Sequence, residues 1–133
     1  MTTPFWCLLV AIFIPYVLAG VTVHFKSKQL GSVDFNNPRD QSLALKDAGA
    51  RANAAQQNAW EALVVFAAAV LVAAVAGADT ATSSTASLMF IGARLLHAIF
   101  YILNVPPMRS LSFAVGLGSC VWLFVLAAQT AGA

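Results

Sequence analysis

The chain has 133 residues, of which 60% are hydrophobic and only 9% charged, and its mean hydropathy is +0.81. Charged side chains supply roughly 25% of an ordinary soluble domain and about 25–35% of its surface, so seven Lys/Arg and five Asp/Glu cannot clothe a water-facing fold. A soluble domain and a disordered chain are both excluded. An integral membrane protein remains, and a net charge of +2 is too small to point to a nucleic-acid partner.

The first predicted element is a membrane-spanning helix over about residues 5–25, uncharged from Phe5 to Val23 and long enough to cross a hydrocarbon core of about 30 Å. Its end, Val17-Leu18-Ala19-Gly20, has the small residues of a signal-peptide cleavage site. However, no basic segment precedes it, and the apolar run exceeds the usual ~7–15 residues. It is expected to be retained, with a tolerated kink at Pro15. Residues of about 26–46 follow as the only sizeable loop, rich in the turn residues Gly31, Ser32, Asn36, Asn37 and Pro38. Three further spans are expected over about 50–78, 86–104 and 108–131. The composition therefore predicts an all-α, integral membrane four-helix bundle forming one transmembrane domain.

The basic residues predict the orientation. Lys26, Lys28, Arg39, Lys46 and Arg51 lie between the first two spans and Arg109 between the last two, whereas Asp79 is the only charge between the second and third. The positive-inside rule places the first and third loops in the cytoplasm and both termini outside. The compact chain shows no retention or sorting tail, which points to a bacterial inner membrane. Cys7 and Cys120 stand in apolar sequence without C-x-x-C spacing and are expected as free, packed thiols; His24 and His97 form no metal-ligand pattern.

Ionisable groups inside a span cost at least about 2.5–3.5 kcal/mol each on insertion scales, so each needs a partner or a purpose. At 100° per residue Arg51, Asn58 and Glu61 share one face of the second helix, and Arg94, His97 and Tyr101 share one face of the third. The two stripes should face each other, with Glu61 and Arg94 as natural partners. Two roles stay open for these residues, holding helices together or binding a ligand. Pro106-Pro107-Met108-Arg109-Ser110 opens the fourth helix, where free N–H groups, a guanidinium and a hydroxyl together suit an anion. A purely topological arginine is the other reading of Arg109.

This constellation resembles the membrane-associated proteins in eicosanoid and glutathione metabolism, the MAPEG family. The family's arginine, asparagine and glutamate on helix two read here as Arg51, Asn58 and Glu61. The R-x-x-H-x-x-x-Y of its prostaglandin synthase branch is similar to Arg94, His97 and Tyr101, and its arginine–serine pair to Arg109-Ser110. Phe35-Asn-Asn-Pro38-Arg-Asp40 is similar to a loop of the same branch. The chain departs from the pattern at Ala54 and Gln57, where the family carries basic residues, at Phe113, where the branch has tyrosine, and at Val64-Val65, near which a proline is usual. Lys26 or Lys28 is the candidate replacement cation.

The resemblance implies a homotrimer of four-helix bundles with glutathione, or another thiol cosubstrate, bound between subunits at the cytoplasmic side. Arg51, Asn58, Glu61, Arg94, His97 and Tyr101 would bind the thiol, while Arg109 and Ser110 would stabilise its thiolate. The implied activity is a glutathione-dependent transferase or peroxidase acting on lipophilic small-molecule electrophiles that enter from membrane lipid. Two alternatives accompany it: a non-catalytic lipid-binding or scaffold protein of the same shape, and a small four-helix transporter using Glu61 as its coupled carboxylate.

Overall fold

A computed structural model describes residues 1–131, and all regular structure among them is helical. The elements are α1 (Thr3–Leu30), α2 (Pro38–Ser42), α3 (Asp47–Val75), α4 (Thr80–Ile102) and α5 (Pro106–Ala131). The four long helices are each long and apolar enough to cross a membrane. Many large apolar side chains face outward, including Val64, Val75, Leu88 and Leu111. Such a surface would be anomalous in water and is ordinary against lipid.

The helix ends differ from the expected bounds, for local reasons. α1 runs on past residue 25 to Leu30 and stops at Gly31, whose φ of 79° lets its N–H reach the Ser27 carbonyl at 3.1 Å. Gln29 then fixes the start of α3: its side-chain amide donates to the Lys46 carbonyl and accepts from the Lys46 N–H, both at 3.1 Å. Gly49 has no side chain because a Cβ there would lie 2.9 Å from the Gln29 amide nitrogen. The intervening loop is shorter than expected and contains α2, opened by Pro38 at its first turn. Asp34 orders this loop by accepting from the backbone N–H groups of Asn36 (2.8 Å) and Asn37 (3.0 Å). These bonds hold its carboxyl below the usual carboxylate range.

α4 starts at Thr80, well before the expected residue 86. Asp79 caps it, accepting from the Thr82 N–H at 2.8 Å and the Thr82 hydroxyl at 2.6 Å. The polar run that reads as loop is helical because its hydroxyls are absorbed locally: Ser84 and Thr85 donate back to the carbonyls of Thr80 and Ala81. The hydrogen bonds from Thr82 also depress the Asp79 carboxyl pKa. A carboxylate bound in its charged form stabilises the fold above its unfolded pKa of about 4 and loses that contribution as pH falls through the lowered folded value. Asp79→Ala is therefore expected to destabilise the protein at neutral pH by an amount that shrinks below about pH 4. Unfolding in detergent across pH checks this; a pH-independent difference would remove the cap from that role.

The helices pack chiefly as two pairs, α1 with α3 and α4 with α5. Small side chains such as Ala69, Ala73 and Ala86 let them approach, and Phe66 stacks on Phe90 between α3 and α4 with ring centroids 3.9 Å apart. Cys7 and Cys120 are both buried as free thiols in this core. Chain order places Lys26, Arg39, Lys46, Arg51 and Arg109 at one end of the bundle and Asp79 at the other.

Candidate functional site

The basic end gathers two clusters. In the first, Arg94 is only 4% exposed and donates from Nη2 to the Asn58 side-chain carbonyl at 2.6 Å. Asn58 in turn donates toward the Glu61 carboxylate at 3.4 Å. The expected Glu61–Arg94 pair is thus corrected: the link passes through Asn58. The physical reason is placement, since Glu61 lies on the outer surface while Arg94 is buried, and the Asn58 amide between them satisfies the buried cation. These three side chains line a pocket of about 100 Å³ together with Phe113, Gly116 and Cys120. Gly116 keeps it open, as a Cβ there would sit 3.3 Å from Arg94 Cδ.

The second cluster joins the end of α4 to the start of α5. His97 is 3% exposed, and its Nδ1 lies 3.1 Å from the Arg109 carbonyl. A carbonyl only accepts, so Nδ1 carries the proton and donates. Nε2 is buried without a partner. The His97 ring meets Tyr101 edge-on at 5.6 Å, and the Arg109 guanidinium carbon lies 4.7 Å from the Tyr101 ring centroid, within cation–π range. Tyr101 thus sets the direction of the Arg109 side chain, and His97 anchors its backbone. Ser110 is exposed on the same first turns of α5. Arg109 lines neither the small pocket nor the larger cavity described next.

Arg51 stands apart from both clusters. Its Nε donates to the Ile102 carbonyl at 3.0 Å, so it satisfies a carbonyl at the end of α4 rather than joining Asn58 and Glu61. Sequence reasoning missed Gly116 and Cys120, whose roles depend on a helix crossing that no spacing rule reveals. It left Lys26 and Lys28 undistinguished. Lys28 is exposed, whereas Lys26 is 5% exposed and donates to the Pro38 carbonyl. Lys26 lines a cavity of about 620 Å³ between α1, α2 and α3, together with Arg39, Asn53, Gln57 and Trp60. That volume falls within the ~300–1,000 Å³ of small-molecule sites, whereas the Arg94 pocket falls below it.

Compared with models of protein families, residues 3–129 match the MAPEG family. The chain belongs to the MAPEG family. It is accordingly an integral membrane protein of a family that includes glutathione transferases. Neither the curated proteins nor the solved structures provide a match to this MAPEG chain. Among the described residues, no group of three or more His, Cys, Asp or Glu is placed to hold a metal ion.

Proposed function

We propose that this MAPEG protein is a glutathione-dependent transferase or peroxidase for lipophilic electrophiles, with its site at the basic, cytoplasmic end of a homotrimer in a bacterial inner membrane. The observation that carries the proposal is Arg109, a fixed cation on the first turns of α5, held over Tyr101 with its backbone tied to His97. The donor set suits a peptide thiol. Lys26 and the amides of Asn53 and Gln57 offer a cation and donors for a carboxylate in a cavity of adequate volume. Arg94 and Asn58 offer a second set, and Glu61 an acceptor for the amine. Arg51, occupied at Ile102, contributes by holding α4 in place.

Arg109 and the N-terminus of α5 both favour a thiolate, whose free thiol has a pKa of about 8.5. Ser110, exposed beside Arg109, is a further donor to the sulfur. Bound there, the thiol supplies the nucleophile: its sulfur bonds an electrophilic carbon as the leaving group departs with its electron pair, or bonds the terminal oxygen of a hydroperoxide as the O–O bond breaks. The second course leaves a sulfenic acid and an alkoxide that takes a proton to become the alcohol; a second glutathione thiol then displaces the sulfenic oxygen as water to give the disulfide. The thiol proton leaves to water. Because Arg109 lines neither cavity of its own chain, the proposal places it over the cavity of a neighbouring subunit. Calorimetric titration of glutathione into the detergent-purified assembly is expected to give saturable heat at or below millimolar ligand. Absence of heat from a folded trimer overturns the glutathione assignment, and a stable monomer overturns the shared site.

A further inference from the structure

The end of the bundle remote from Arg109 contains a cavity of about 300 Å³, walled by the start of α1, the last turns of α3, the first turn of α4 and Leu123 of α5. No ionisable side chain lines it; its surface is mostly apolar, with the Thr2, Thr80 and Ser83 side chains among its polar parts. Four other hydroxyls of early α4 are committed. Thr82 donates to Asp79, Ser84 to the Thr80 carbonyl, Thr85 to the Ala81 carbonyl and Ser87 to the Ser83 carbonyl. Ser83 breaks the pattern: it is 5% exposed, its hydroxyl has no partner, and it lines the cavity. A buried hydroxyl without a partner is costly. At the rim, Thr2 occupies the N-cap position of α1 without making a side-chain capping bond.

We propose that this cavity binds a neutral long-chain amphiphile bearing one hydrogen-bonding oxygen, a lipid alcohol or carbonyl compound, whose oxygen pairs with Ser83 and whose chain lies against Phe5, Val70 and Leu123. Neutrality follows from the uncharged walls. A single polar head follows from Ser83, the one buried lining hydroxyl without a partner. The site is independent of the thiol chemistry, since it lies at the opposite end of all four long helices.

The test uses the full protein in lipid nanodiscs, a diazirine-bearing long-chain alcohol and the matching diazirine hydrocarbon. The alcohol is expected to give saturable adducts on the peptides around Phe5, Ala74 and Ser83, competed by unlabelled alcohol and not by alkane. Ser83→Ala should weaken the competition about tenfold, the loss of one hydrogen bond. Ala74→Phe, on an exposed part of the wall, should abolish labelling by filling the space, which keeps the test usable if Ser83→Ala fails to fold. Equal labelling by the hydrocarbon, unchanged competition in Ser83→Ala, or no adducts at these peptides would each overturn the proposal.

Discussion

Replacing Arg109 with alanine should reduce turnover by about 10²–10³-fold, the loss typical of removing one group that stabilises developing or fixed negative charge at a reacting centre. The helices and the assembly should survive the change. Arg109 is half-buried on the first turns of α5, and its side chain rests on Tyr101 rather than supporting the core. The loss should appear chiefly in the reactivity of the bound thiol. Ultraviolet absorbance of the thiolate at neutral pH should fall, and the pH at which activity rises should move up toward the free thiol value of about 8.5. Tyr101→Phe keeps the aromatic face and should change turnover far less than Tyr101→Ala, which frees the guanidinium. A thiolate signal that persists in Arg109→Ala would assign its stabilisation to another group.

The second large effect concerns Asn58, and here stability and binding should separate. Interhelical polar contacts in membranes average only about 0.6 kcal/mol. A contact whose loss leaves a buried charged donor without its acceptor costs about 1.5–3 kcal/mol. Arg94 is 4% exposed and bonded to Asn58 at 2.6 Å, so the larger figure applies to Asn58→Ala. Glu61 is exposed and only 3.4 Å from the amide, so Glu61→Gln should cost less than about 1 kcal/mol. The same substitution removes the proposed partner of the cosubstrate's amine and should weaken glutathione binding markedly. Reversible unfolding in detergent and titration calorimetry read the two quantities. Equal destabilisation by both variants would mean that the carboxylate, not the amide, carries the link to Arg94.

The spans were legible because lipid imposes one strong rule, and a helix without charges declares itself. Their ends were not, since hydropathy registers where charge begins rather than where hydrogen bonding stops. Lys26 and Lys28 continue α1 until Gly31 terminates it, and Asp79 starts α4 amid hydroxyls that bond to their own helix. The pairing of Pro38 with the preceding Asn37 was a usable sign of α2, hidden among turn residues. Periodicity placed Asn58 and Glu61 on one face and Arg94 with His97 on another, and the structure joins these faces. It could not tell that Arg94 would choose the amide, because that depends on which partner lies between the helices. Nor could it tell that Arg51, two turns before Asn58 on α3, would be drawn to Ile102 of α4, where a carbonyl at a helix end attracts a cation.

The pairing of α1 with α3 and of α4 with α5 leaves a seam between the two hairpins. Apolar and polar contacts both cross it: Phe66 on Phe90, and Ile14, Leu18, Ala55 and Ala59 against Ala98, Tyr101 and Ile102, together with the Arg94–Asn58 and Arg51–Ile102 hydrogen bonds toward the basic end. An aromatic stack resists separation along its whole face, whereas a hydrogen bond can be exchanged for water or for a ligand atom and then restored. The two hydrogen bonds are thus the exchangeable links in a seam whose apolar contacts run along its length.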